Sequence, residues 1–213
     1  MHLLVTAGPT REFFDSVRFL SNPSSGKMGF AVAAEATRRG HEVDLVAGPV
    51  ALPDPAGARV TRVVSAAEMY RVATALFDEC HAAVMTAAVC DYRPDRREPL
   101  KRAKSDRPFS LRLLPTEDIC AALGARKAGR VVVGFAMEDH DHRARAEAKL
   151  RGKHCDAMVL NGPGNVGADE AEIEVLRADR GWQPVLRGSK AELAAAVVDL
   201  VEALVRCRAS TPT

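Results

Sequence analysis

The sequence predicts an α/β fold, a three-layer Rossmann-like sandwich whose sheet is mostly parallel and ends in a C-terminal antiparallel hairpin. Two observations carry this. Short apolar runs alternate with helically spaced segments along most of the chain, and the alternation gives way near the end to two extended runs joined by a Gly turn. The first pattern puts parallel strands between two helix layers, and the second adds antiparallel pairing.

The elements follow in order. "HLLVTAG" (2–8) reads as a strand ending in a glycine turn. "GFAVAAEATRRG" (29–40) has helical spacing, with Gly40 placed to stop it. "HEVDLVAG" (41–48) alternates as a strand. "SAAEMYRVATALFDEC" (65–80) opens with the S-x-x-E of a capping box and is helical. "AAVMTAAV" (82–89) and "VVVGF" (131–135) are buried strands on either side of a different kind of segment. That segment, 92–108, is basic, proline-containing and nearly free of apolar residues, which predicts a flexible functional flap. "DHRARAEAKLRGK" (141–153) is a charged helix and "AMVLN" (157–161) a strand. Residues 171–188 read as a hairpin turning near Arg180-Gly181, and 189–207 as a closing helix. The whole of 1–207 reads as one domain, with 208–213 as a disordered tail.

Composition narrows the function. A chain of 213 residues with 47% hydrophobic and 27% charged content has the composition of an ordinary soluble protein. The net charge of +2 gives no global basic field, so no nucleic-acid partner is expected. No apolar run reaches the ~18 residues of a membrane span, and "MHLLVTAGPT" lacks the basic start and cleavage site of a signal peptide. Cys80, Cys90, Cys120, Cys155 and Cys207 are scattered without a C-x-x-C pair, so they read as reduced thiols in a cytoplasmic protein. His140 and His142 flank Asp141 but read as exposed residues at a helix start, and no metal held by protein side chains is expected.

"SNPSSGKMG" (21–29) looks like a phosphate cradle. It is not a Walker A loop, because Ser21 stands where the first glycine belongs and Met28 where a Mg²⁺-binding hydroxyl belongs. The dinucleotide fingerprint G-x-G-x-x-G is also absent after the first strand, where "TAGPT" stands. What remains is Ser24, Ser25 and Gly26 at a helix start, where unpaired N–H groups and the helix dipole favour an anion. The plainer reading is a serine acting only as a helix cap.

The block "VTAGPTREFFDSVRFLSNPSSGKMG" (5–29) resembles the opening of the phosphopantothenoylcysteine synthetase family, also called phosphopantothenate–cysteine ligase. The likeness continues through "TAAVCDY" (86–92), "LKRAK" (100–104), "TEDI" (116–119), "VVGFAMED" (132–139), Lys149 and Lys153, covering roughly residues 3 to 205. Three departures stand out. Thr116-Glu117 replaces the usual Asn-Pro, Met137 and Asp139 replace Ala and Thr, and the 100–104 segment lacks one inner lysine.

The resemblance implies a ligase joining 4′-phosphopantothenate to L-cysteine through an acyl-cytidylate, with CTP and Mg²⁺ as the nucleotide substrate, in coenzyme A biosynthesis. It also implies a homodimer, and a separate decarboxylase in the same pathway, because the chain begins at its first strand. Carried over by residue, Lys101 with Lys104 would offset charge at the α-phosphate. Asn22 would hold the acyl carbonyl or its oxyanion, with Arg18 in support. Gly8, Ser24, Ser25, Gly26, Asp91, Glu117, Asp118, Ile119, Phe135, Lys149 and Lys153 would bind nucleotide. Ala87 and Ala88 would line the acyl site. Two other readings compete: a nicotinamide-dependent oxidoreductase on a similar sheet, and a non-catalytic nucleotide-binding module.

Overall fold

The computed structural model describes residues 1–165 and 167–210, apart from the side chain of Pro163. Six parallel strands form the centre of one nine-stranded sheet: β1 (His2–Ala7), β4 (Glu42–Ala47), β5 (Arg59–Arg62), β6 (Ala82–Met85), β9 (Val131–Met137) and β10 (Ala157–Asn161). Their spatial order is β5-β4-β1-β6-β9-β10. The chain therefore runs outward from β1 to β5, then returns to β6 on the other side of β1, which makes the β1–β6 seam a topological switch point. All six residues of β1 are buried, as its nearly unbroken apolar run requires.

Two helices, α1 (Lys27–Arg38) and α5 (Lys190–Ala209), cover one face. Three others, α2 (Ala66–Phe77), α3 (Ile119–Ala125) and α4 (His142–Gly152), cover the opposite face. This is the expected three-layer sandwich. The capping box at Ser65 and Glu68 is formed, and Ser189 with Glu192 makes a second one at α5. The antiparallel end is also present. β11 (Glu170–Arg177) pairs antiparallel with β10 and turns tightly into β12 (Gly181–Trp182), and its first half pairs with β13 (Leu186–Ser189).

Several expectations need correction. The closing helix runs to Ala209, so Arg208 and Ala209 are ordered helix rather than tail; Arg208 donates to the Ala128 carbonyl at 2.9 Å. Residues 211–213 of the expected tail lie outside the described residues. The flap is bounded by a strand pair, β7 (Tyr92–Pro94) with β8 (Leu113–Pro115), so residues 92–94 are not loop. A further pair, β2 (Arg11–Phe13) with β3 (Phe19–Ser21), fills the long connection from β1 to α1. Neither serine caps α1 in the ordinary way. Gly26 holds the cap position in left-handed backbone at φ 75°, without a side-chain cap hydrogen bond.

α1 sits unusually close to the sheet. A Cβ at Gly29 would lie 2.3 Å from Thr86 Oγ1 and 2.5 Å from Ala7 Cβ. Thr86 cannot retreat freely, because its hydroxyl donates to the Thr6 carbonyl at 2.6 Å. Gly29→Ala is therefore expected to cost about 1–3 kcal/mol, read by urea unfolding, through overpacking at this seam. An unchanged unfolding midpoint would contradict the geometry.

A second prediction concerns acid. At the far end of the strands, buried Asp44 bonds Arg59 Nη2 at 2.9 Å and His2 Nε2 at 2.6 Å. Burial alone would raise its carboxyl, but the bonds from Arg59 and His2 win and hold it below the ordinary carboxylate range. A depressed folded pKa stabilises the fold above the unfolded value, about 4, and that stabilisation disappears as pH falls through the folded value. Asp44→Asn should thus flatten the loss of unfolding free energy below about pH 4, measured by denaturant titration at several pH values.

Candidate functional site

A cleft of about 670 Å³ opens at the C-terminal ends of the parallel strands, over the β1–β6 switch point. Its floor comes from Thr6, Met85, Thr86, Ala87 and Ala88, and one wall from residues 22–29 at the start of α1. The other wall carries Asp91, Glu117, Asp118, Ile119, Phe135, Lys149 and Lys153. Most of the sequence-predicted site residues therefore meet in one cleft, although they span 22 to 153 in the chain.

Asn22 follows β3 and turns its amide across the cleft floor. Its Nδ2 donates to the Val89 carbonyl at 2.9 Å and more weakly to the Ala88 carbonyl at 3.4 Å. Ser24 and Ser25 form the lip next to Gly26, whose left-handed backbone lets the chain enter the helix with its first N–H groups unspent on intrahelical bonds. Gly8 is buried and does not line the cleft. It is the packing partner beneath, since a Cβ on Gly26 would sit 3.5 Å from Gly8 Cα. Phe135 faces both ways: it packs partly on the core and also lines the cleft.

The cationic side is built from pairs. Lys149 contacts Glu138 at 2.5 Å, and Lys153 contacts Asp118 at 3.0 Å. Lys153 stands one residue past α4, as its C-cap, not within the helix. Burial works against its charge, but the Asp118 bond outweighs this and holds the ammonium above the ordinary lysine range. Asp118 also caps α3 by accepting from the Ala121 N–H at 2.9 Å, so this residue is partly committed to structure. Burial likewise raises the carboxyl of Glu138, and Lys149 and Arg145 more than reverse it.

Arg18, Lys101 and Lys104 lie outside this cleft. Lys101 and Lys104 are exposed on the basic segment between β7 and β8, and Arg18 lies in the β2–β3 bend. Arg18 Nη2 donates to the Arg102 carbonyl at 2.8 Å, which ties the two regions to each other.

Sequence reading passed over two lining residues. Asn161 ends β10 at the cleft, and its Oδ1 is buried without a hydrogen-bond partner. Lys190 opens α5, and burial, then the nearby charge of Lys27, lowers its ammonium below the ordinary lysine range. The first was discoverable as the last residue of a parallel strand; the second had no signal beyond its place after a serine cap. Together the main-chain N–H groups on one side and the lysines on the other suit a polyanion. Among the described residues, no helix is long and apolar enough to cross a membrane.

Known proteins resemble this chain along most of its length. Residues 1–204 match the model for the DNA/pantothenate metabolism flavoprotein C-terminal domain. The Coenzyme A biosynthesis bifunctional protein CoaBC of Bacillus subtilis is 42% identical over 161 residues, covering 75% of this chain and 40% of that protein. Its namesake in Mycobacterium tuberculosis is 40% identical over 214 residues, covering 93% of this chain and 51% of that one. A prokaryotic protein of unknown organism, named cysteine/cysteine sulfinic acid decarboxylase, is 38% identical over 209 residues, covering 95% of this chain and 58% of that one. The chain thus spans about half the length of the curated relatives it matches. Among solved structures, the C-terminal domain of a CoaBC protein superposes with a TM-score of 0.82 at 34% identity, covering 96% of this chain and 95% of that one. The family model and this near-complete overlap leave one conclusion: the chain belongs to the DNA/pantothenate metabolism flavoprotein C-terminal domain family.

Proposed function

We propose that this chain is a phosphopantothenate–cysteine ligase of coenzyme A biosynthesis that activates its acid with CTP. The observation that carries the reading is the single cleft in which Asn22, the open start of α1 and the paired lysines 149 and 153 converge. The name shared by the bacterial relatives supports the pathway, and the match to the C-terminal domain of such a protein supports this half of it. A decarboxylase name on a relative matched over 58% of its length does not transfer, because the rest of that protein has no counterpart among these residues.

In the first step a carboxylate oxygen of 4′-phosphopantothenate attacks the α-phosphorus, the bond to the β-phosphate oxygen breaks, and pyrophosphate leaves. Main-chain N–H groups at Ser24–Gly26 and the ammonium groups of Lys149 and Lys153 would bind the charge being transferred. Lys101 and Lys104 would reach the α-phosphate from the basic segment. In the second step the cysteine nitrogen attacks the acyl carbon, and the nucleoside monophosphate leaves. Asn22 suits the developing oxyanion: its contact to Ala88 is the weaker of two, so that N–H is the one free to turn to an acyl oxygen beside Ala87 and Ala88. Asp91 and Phe135 would contact the base.

Mg²⁺ enters with the triphosphate as part of the substrate. The acidic residues on the cleft are not gathered as a metal site. Among the described residues, the His/Cys/acid cluster that could chelate is His2, Asp44 and Cys80, and it fits poorly. Arg59 already donates to Asp44 and approaches His2, and burial pushes the Cys80 thiol up to about 12, away from the thiolate that a metal prefers. The oxidoreductase alternative loses ground for a structural reason: a strand pair occupies the β1–α1 connection, where a dinucleotide pyrophosphate turn would stand.

A homodimer fits the same reading. Val17, Phe19, Tyr92, Leu100, Phe109 and Leu113 are large apolar residues left exposed, and all lie on the two small strand pairs or the basic segment between β7 and β8. Such a patch suits a second copy. It also suits a basic segment that serves the partner's cleft, since Lys101 does not line its own. Sedimentation should give a dimer at micromolar concentration, and a monomer would refute this.

The chemistry is tested by pyrophosphate release with 4′-phosphopantothenate and each nucleoside triphosphate. CTP should exceed ATP, and cysteine should be needed only for amide formation. Lys101→Gln should lower pyrophosphate release about 10²–10³-fold even without cysteine. Asn22→Asp should still release pyrophosphate and leave the acyl-cytidylate stranded, detectable by mass, because a carboxylate repels the oxyanion. Intermediate building up in Lys101→Gln instead would reverse the assignment.

A further inference from the structure

The structure assigns a positioning role to Asp15, whose buried carboxylate latches the basic segment to the core and so presents Lys101; the inference rests on the ligase reading above. Asp15 lies in the β2–β3 bend with 0% exposure. Its two oxygens do different work. Oδ1 accepts from the Val17 N–H at 2.8 Å and the Arg18 N–H at 2.7 Å, which builds the bend. Oδ2 accepts from the Arg102 N–H at 3.2 Å and faces Arg18 Nη1 at 3.5 Å. That N–H belongs to the peptide joining Lys101 to Arg102. Arg18 Nη2 then donates to the Arg102 carbonyl at 2.8 Å, so both main-chain polar groups of Arg102 are held.

Nearby contacts strengthen the tether. The Glu98 N–H donates to the Phe14 carbonyl at 2.9 Å, and the Arg102 guanidinium lies 4.6 Å over the Phe109 ring. Burial raises the Asp15 carboxyl, but the N–H groups of Arg18, Val17 and Arg102 more than offset this, so the group stays ionised. The Lys101 side chain itself remains exposed. A lysine on a pinned backbone searches far fewer conformations before meeting the α-phosphate than one on a free loop. Sequence reading treated Arg18 and Lys101 as separate contributors; the latch makes them one unit.

Asp15→Asn separates the two jobs, because the amide keeps an oxygen for the bend and replaces Oδ2 with a donor that cannot accept from Arg102. Pyrophosphate release without cysteine should fall about 10- to 100-fold in kcat, with KM for CTP within about threefold. Trypsin should cut after Lys101, Arg102 or Lys104 faster than in the unaltered protein, while thermal melting stays cooperative. Faster cutting with unchanged pyrophosphate release would overturn the positioning role, and unchanged cutting would overturn the latch. Loss of cooperative melting in Asp15→Asn, as in Asp15→Ala, would mean that Asp15 only builds the bend, and would also overturn it. If the unaltered protein releases no pyrophosphate with any triphosphate, the ligase reading fails, the positioning role falls with it, and the trypsin comparison alone decides whether the latch exists.

Discussion

The close seating of α1 on the β1–β6 seam is the constraint on which the rest of the site depends. Gly29 leaves no room for a side chain between Thr86 and Ala7, and Thr86 is itself fixed by the Thr6 carbonyl. With the helix held that close, its first turn lies on the crest of the sheet, where the ends of parallel strands leave a crevice. Gly26 then rests against Gly8, and Asn22 comes within hydrogen-bond reach of the carbonyls that follow β6. A helix standing higher would separate those N–H donors from Asn22 and the carbonyls beyond β6, and on the proposed reading it would disturb both half-reactions together.

The electrostatics of the cleft follow from the lysines that line it. Several ammonium groups gathered around one cavity would repel one another. The protein meets this by pairing them: Lys27 with Asp169, Lys149 with Glu138 and Lys153 with Asp118. Lys190 differs: it donates to the Asn165 carbonyl at 3.3 Å, and burial, then the charge of Lys27, holds its ammonium below the ordinary range. On the proposed reading, binding a triphosphate would be an exchange of partners, which gains less affinity than meeting a bare cation would and so would also let pyrophosphate leave.

Most of the parallel core was legible because β1, β6, β9 and β10 are nearly unbroken apolar runs, and α2 because its capping box is local. β10 was read to the residue, from "AMVLN" between a charged helix and a glycine. The missed elements share a physical cause. β5 reads "RVTR", with one apolar residue and an exposed edge, and α3 is seven residues long and interrupted by glycine, so neither produces a period that stands out. β2, β3, β7 and β8 are three residues each and depend on pairing with distant partners. For the site, residues 22–26 were legible because one turn carries them all. Asn161 and Lys190 were not, since only the sheet topology brings a strand end and a later helix start to the same cleft. Arg18, Lys101 and Lys104, whose roles the resemblance implied, lie outside that cleft, and no local pattern tells on which side of a strand pair a side chain emerges.

The position of these three residues points to how the insertion between β1 and α1 works. In a dinucleotide-binding protein with this strand order, the same connection is a short glycine turn that clasps a pyrophosphate which must stay intact. Here the connection is long, carries β2 and β3, and ends in a serine-lined lip. It supplies Asn22 to the cleft on one side, and Asp15 with Arg18 to the basic segment on the other. Under the proposed ligase reading that division has a use: the cleft would hold the part of the substrate that stays, while the latched segment would present its lysines from outside the cleft to the phosphates that leave. On that reading, a strand pair in place of the glycine turn suits the fold to releasing a pyrophosphate rather than holding one.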